Sequence, residues 1–283
     1  MTAPYAQHWR DAVERPQGWY GHSRLFVRNR VLDLVSRLQP APTGNFLRCL
    51  FCHYVFDDQI AAFESLIRTL QTLGQFVDST TAVQMLRGER PVEGRHFHLS
   101  FDDGLKNNFV NAVPVLAKLG VPCVFFVPPA YTGATYEQAA RYCLQITRYR
   151  AVMEMASWQD LREAVAAGFE IGSHSLNHAR LSEVAGNAET LRAETAGSKQ
   201  RIEDALGVAC RWLAWPYGTL ADINEAGFAA IRAAGYEAAF GNFRAPVVVG
   251  KTDPFRIPRH HFEPQWPLAH VRYFGLGGHE RIG

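Results

Sequence analysis

From residue 47 to residue 258, short apolar runs alternate with longer stretches whose apolar residues recur at helical spacing. That rhythm admits few folds other than β/α units wrapped around a parallel sheet. Candidate strands cover 47–54, 96–101, 122–127, 169–173, 211–214, 237–240 and 255–258. The first predicted helix, 59–73, carries Ile60, Phe63, Ile67, Leu70 and Leu73 on one face. Those at 108–119, 188–206 and 222–234 end at Gly120, Gly207 and Gly235, and 157–167 starts on the cap residue Ser157. About seven such units favour an α/β distorted (β/α) barrel of about seven parallel strands over an open sheet.

A chain of 283 residues, 47% hydrophobic and 20% charged, can bury a substantial core and carries no mark of disorder. With a net charge of +2 and no basic stripe, nucleic acid is not an expected partner. No apolar run approaches the roughly 20 residues of a membrane span. Residues 1–18 lack the apolar centre of a secretory signal, so the expected location is cytoplasmic. Five scattered cysteines then read as reduced and buried. Cys49-Leu50-Phe51-Cys52-His53 has the form of a haem-attachment motif, but it lies in an apolar strand. Alternation there sends Cys49 and Cys52 to opposite faces, so both are packing residues.

Residues 1–45 fall outside the β/α rhythm and are expected to form an N-terminal extension, with 46–283 as the main β/α domain. Within the extension, 23–38 mixes Leu25, Val31, Leu32, Val35 and Leu38 with Arg24, Arg28, Arg30 and Arg37. Such a helix suits peripheral contact with an anionic membrane, or closure of the open end of the barrel with its arginines in water. The second reading is adopted.

Chemistry concentrates in two segments, Ser100-Phe101-Asp102-Asp103-Gly104 and His174-Ser175-Leu176-Asn177-His178. Alone, Asp-Asp-Gly is a common turn, and His-x-x-x-His often lacks a metal. Both, however, follow predicted strands and so reach the same, C-terminal face of a parallel barrel, where functional side chains gather. The histidine spacing predicts one face of a helical turn. One carboxylate and two imidazoles make a metal site with open positions, leaving the second carboxylate free to take a proton from water. Adjacent carboxyls cannot readily flank a glycosidic bond as a retaining pair. Ser175 stands where a His-Glu-x-x-His protease would need Glu.

These segments resemble the first two motifs of the polysaccharide deacetylase family (the NodB-homology domain, carbohydrate esterase family 4), [ST]-F-D-D-G and H-[ST]-x-x-H. Ala214-Trp215-Pro216-Tyr217-Gly218 is similar to the third, R-x-P-Y-G. The resemblance runs from about Leu47 to Arg259. It implies Asp102 as general base and Asp103, His174 and His178 as ligands of a divalent ion, zinc by default with other transition metals open. It further implies the Tyr217 backbone N–H as an oxyanion donor.

Two departures stand out. The third-motif arginine, which steers the base in the family, is Ala214 here, and Arg259 is the candidate replacement. The family's late acid histidine has no clear counterpart, although Leu268-Ala269-His270 has the letters. Some members resemble circular permutants with that histidine at the N-terminal edge, which Cys52-His53-Tyr54 matches. His53 is therefore the expected general acid, with His260, His261 and His270 as alternatives. The activity implied is removal of an acetyl or similar acyl group from a sugar or glycoconjugate. A cytoplasmic setting favours a nucleotide-linked, lipid-linked or free small sugar. Alternatives are hydrolysis of a formamide or cyclic ureide, or an inactive carbohydrate-binding relative. Trp212, Trp215 and Tyr217 are candidates to stack on sugar rings, or to pack.

Overall fold

Among the described residues, eight parallel strands are linked by helices: β1 (Phe46–Cys52), β2 (Gln75–Phe76), β3 (Arg95–Phe101), β4 (Val124–Val127), β5 (Glu170–Ser173), β6 (Trp212–Ala214), β7 (Ala238–Phe240) and β8 (His260–His261). The computed structural model describes residues 5–12, 23–24, 26–31, 34–35 and 44–277. Their order across the sheet is β7-β6-β5-β4-β3-β1-β8, with β2 attached beside β3. One late segment closes the ring. Ile257 bridges Phe240 of β7, and three residues later β8 pairs with Leu50 and Phe51 of β1. The fold is thus the expected distorted (β/α) barrel with seven strands around its wall. The strand expected at 255–258 is reduced to that bridge at Ile257, because the chain is crossing from β7 to β1 and pairs with each only briefly.

Alternation along the strands sorts the apolar residues into two layers. Cys52, Phe97, Leu99, Phe101, Phe125 and Leu213 face the layer built with the surrounding helices, including Phe63, Ile67 and Leu70 of the helix Ile60–Gln71. Leu47, Cys49, Val124, Phe126, Trp212 and Phe240 fill the interior. Cys49 and Cys52 fall in different layers, and all five cysteines are free and buried. Gly172 of β5 gives room inside the barrel: a Cβ there would stand 2.5 Å from the Phe126 ring.

Helix ends follow ordinary capping chemistry. Ser157 caps the helix Trp158–Ala166 by accepting from the Asp160 N–H, and Asn224 caps Glu225–Ala233. The stretch 188–206, expected as one helix, is Ala188–Arg192 and Ser198–Leu206 joined by a π-turn, Ala193–Gly197. From the expected N-terminal helix, residues 23–24, 26–31 and 34–35 are helical, and the remainder lies outside the described residues. Asn29 meets the helix Leu268–Gly275 through His270 Nε2, 3.4 Å from its carbonyl oxygen. Val31, expected on the packed side, is 53% exposed. Among the described residues, no helix is long and apolar enough to cross a membrane.

Candidate active site

At the C-terminal ends of the strands the backbone leaves the sheet through left-handed turns. Among the described residues, five non-glycine residues have positive φ, and four lie in the three motifs: Asp103 (73°), Ser175 (56°), His178 (61°) and Tyr217 (63°). This conformation is uncommon for L-residues and concentrates where a fold fixes functional groups. It also corrects the sequence reading of His174 and His178. They are not on a helical turn: β5 ends at Ser173, and 174–180 is an irregular loop. Glu194 pins that loop, accepting from the Asn177 backbone N–H (2.9 Å) and side-chain amide (2.8 Å).

The loop brings both imidazoles to Asp103. His178 Nε2 is 3.4 Å and His174 Nε2 is 3.7 Å from Asp103 Oδ1. His174 Nδ1 lies 2.7 Å from the Ala214 carbonyl oxygen. A carbonyl only accepts, so Nδ1 carries the hydrogen and Nε2 presents a lone pair. Burial pushes the His174 pKa down to about 4, which keeps the ring neutral. Asp103 is equally buried, yet the hydrogen bond and charge of His178 outweigh that burial and hold its carboxyl far below the usual range. Tyr142 and Tyr149 donate to its two oxygens, at 2.8 Å and 2.7 Å. The ligand atoms of Asp103, His174 and His178 lie within 4.8 Å of one another. A carboxylate and two imidazoles so placed fit a divalent transition ion.

Asp102 takes a different environment. Its backbone N–H donates to Cys52 O (3.1 Å), tying the end of β3 to β1. Arg259, fully buried, grips its carboxylate with a fork: Nη1 to Oδ1 and Nη2 to Oδ2, both 2.7 Å. The guanidinium is itself fixed by the carbonyl of Gly241 and the hydroxyl of Ser100, each 2.9 Å away. Burial would raise the Asp102 pKa, but the Arg259 charge lowers it below the usual value. Arg259, the candidate replacement for the third-motif arginine, thus contacts Asp102 directly, while the Ala214 side chain is buried in β6.

Tyr217 sits in a tight turn that depends on Gly218. A Cβ on Gly218 would lie 2.5 Å from the Asn242 nitrogen, whose N–H already donates to Gly218 O. The Tyr217 ring meets His178 edge-on at 5.0 Å, and Arg180 lies 3.8 Å over its face. Trp212 and Trp215 are buried, and their indole N–H groups donate to Glu170 and to the Thr219 carbonyl. Trp212 is a packing residue away from the cavity, whereas Trp215 and Tyr217 both line it.

His53 follows the end of β1, its Nδ1 3.1 Å from Glu263 Oε1. Burial favours a neutral ring, but the Glu263 hydrogen bond and the nearby aspartates prevail and raise its pKa to about 9. Of the alternative acids, His261 shares this corner, whereas His260 is buried beside Arg48 and His270 lies in the last helix. A cavity of about 380 Å³ is lined by His53, Asp102, Asp103, His174, His178 and Tyr217, among others. The sequence-predicted residues therefore converge, with Arg259 bonded to Asp102. Sequence reasoning missed Tyr142, Tyr149 and Glu263, which lie in segments with no motif or periodicity.

A family model described as polysaccharide deacetylase matches residues 89–239. Solved structures similar to this chain include IcaB from Ammonifex degensii (23% identical, TM-score 0.68, covering 83% of this chain and 98% of that one). The BpsB deacetylase domain from Bordetella bronchiseptica is 21% identical, with a TM-score of 0.63 and coverage of 79% and 97%. A de-N-acetylase from Aggregatibacter actinomycetemcomitans is 18% identical, with a TM-score of 0.65 and coverage of 81% and 99%. Comparison with curated protein sequences gave no match.

Proposed function

Because this chain belongs to the polysaccharide deacetylase family, we propose that it hydrolyses the acetyl, or a related acyl, group of an N-acetylated sugar or glycoconjugate with the help of a divalent metal ion, zinc by default. The observation that carries the reading is the unequal treatment of two neighbouring carboxylates. Asp103 faces two imidazoles, while Asp102 is clamped by Arg259.

Asp103, His174 and His178 would hold the ion, which when bound supplies Lewis acidity at the acyl carbonyl and at water. Asp102 takes the proton from the attacking water. Arg259 keeps that carboxylate ionised at neutral pH and fixes its plane, and each oxygen retains a lone pair beyond the one Arg259 uses. The backbone N–H of Tyr217 donates to the oxyanion that forms on the acyl carbon. His53, cationic below about pH 9, gives its proton to the departing amine. Glu263 occupies Nδ1, so Nε2 is the nitrogen left to deliver it.

The test is acetate release from a panel of N-acetylated sugars and oligosaccharides, with and without chelator. Turnover should disappear with chelator, and Asp102→Asn should lower kcat by about 10²–10⁴-fold with its metal retained. Turnover of formamides or cyclic ureides in place of acetylated sugars would overturn the substrate reading. Full activity after exhaustive metal removal would overturn the metal. The fork on Asp102 speaks against an inactive relative, since it orients a base that mere carbohydrate binding does not need.

A further inference from the structure

Beside the first ligand set stands a second one. His53 Nδ1 is 3.1 Å from both His261 Nε2 and Glu263 Oε1, and His261 Nε2 is 2.5 Å from that same oxygen. The backbone register sets the cluster up. Phe51 of β1 is opposite His261 of β8, and His53 and Glu263 each follow two residues later, with the His53 and His261 rings 4.8 Å apart. Ligands on an ion with bonds of about 2.1 Å lie roughly 3.0–3.4 Å apart; the two separations from His53 Nδ1 fall in that range, and the His261–Glu263 distance is shorter.

Protons alone leave this group incompletely satisfied. Glu263 Oε1 has two lone pairs and can accept from both ring nitrogens. Meanwhile Glu263 Oε2 is buried with no hydrogen-bond partner among the described residues. A buried carboxylate with one unpaired oxygen is costly, and a cation at the centre would compensate it. Access is open: the side chains of His53 and His261 are 25% and 32% exposed over a Glu263 that is 4% exposed. All three line the cavity described above.

We propose that His53, His261 and Glu263 form a second site for a divalent transition ion, distinct from Asp103, His174 and His178, and that filling it stops turnover. Binding there displaces the proton on His53 Nδ1 to solvent. The ring then holds only its Nε2 hydrogen, as a neutral imidazole does, and is a far weaker acid than imidazolium. The inhibitory half of the proposal rests on His53 being the acid; the site itself does not.

Titrating the metal-stripped full chain with Zn²⁺ by calorimetry, and with Co²⁺ by its visible absorption, tests this. Wild type should bind two ions, His261→Gln one, His174→Gln one, and the double variant none, with circular dichroism confirming that each is folded. Acetate release should rise with the first equivalent of Zn²⁺ and fall with the second in wild type, and should lack the fall in His261→Gln. A single ion in wild type that survives in His261→Gln, or two ions in His261→Gln, would overturn the second site. Two ions with no loss of turnover would overturn its inhibitory role. A single ion lost in His261→Gln but kept in His174→Gln would instead sink the first site and leave this one standing.

Discussion

Arg259 and Asp102 stand 157 positions apart in the chain yet meet through two parallel hydrogen bonds of 2.7 Å, with neither side chain more than 5% exposed. On the proposed mechanism the pairing makes Arg259 a positioning residue for Asp102, through the planar fork as much as through the charge.

Replacing that fork separates the two contributions. Arg259→Lys should lower kcat about 10²-fold with little change in metal content, since the charge survives and the orientation does not. Arg259→Ala should also cost about 3–5 kcal/mol of stability by leaving Asp102 buried and unpaired. Steady-state kinetics and urea unfolding read the two effects.

The tyrosines behind Asp103 should matter to affinity more than to chemistry. Tyr149→Phe removes the donor at 2.7 Å from Oδ2 and is expected to weaken zinc binding about 10–100-fold. Competition against a chromophoric chelator measures it; unchanged affinity would remove Tyr149 from the site's support.

The alkaline side of the pH profile should belong to His53. Its pKa is raised to about 9 in the folded protein, so kcat should fall as pH rises through that value, and His53→Gln should lack this limb. Linkage has the same sign. The stabilisation from His53 is complete below its unfolded value near 6.5 and is lost between there and about 9. Thermal unfolding of metal-free protein across that window should show the loss in wild type and not in His53→Gln.

His98 should act on the acid side. It is buried against the ring of Phe240, and burial, with Arg259, lowers its pKa to about 3. Between about 3 and 6.5 the unfolded chain binds the extra proton, so stability should rise with pH through that range. In His98→Gln this contribution to the slope should vanish; an unaltered slope would refute it.

Much of this was legible in the sequence because its signals are local. Apolar runs of four to eight residues marked β1 and β3 to β7, and Asp102, Asp103 and His174 are readable as strand-end residues from position alone. What escaped depends on distant partners or on rare backbone states. Spacing of four between His174 and His178 suggests a helix, and nothing in the letters announces that Ser175 and His178 turn left-handed. The two-residue β8 is too short to show a period. Tyr142, Tyr149 and Glu263 acquire their roles only from what folding lays beside them.

The ring closure through Ile257 and His260–His261 has a temporal consequence. Arg259, His261 and Glu263 all belong to the stretch that spans from β7 to β1, whereas both aspartates and the pair His174 and His178 are laid down long before it. A chain growing from its N-terminus therefore holds the proposed ligands Asp103, His174 and His178 before it holds Arg259, the partner that fixes Asp102. On the proposed mechanism, a chain that has not yet closed this last seam should release no acetyl groups.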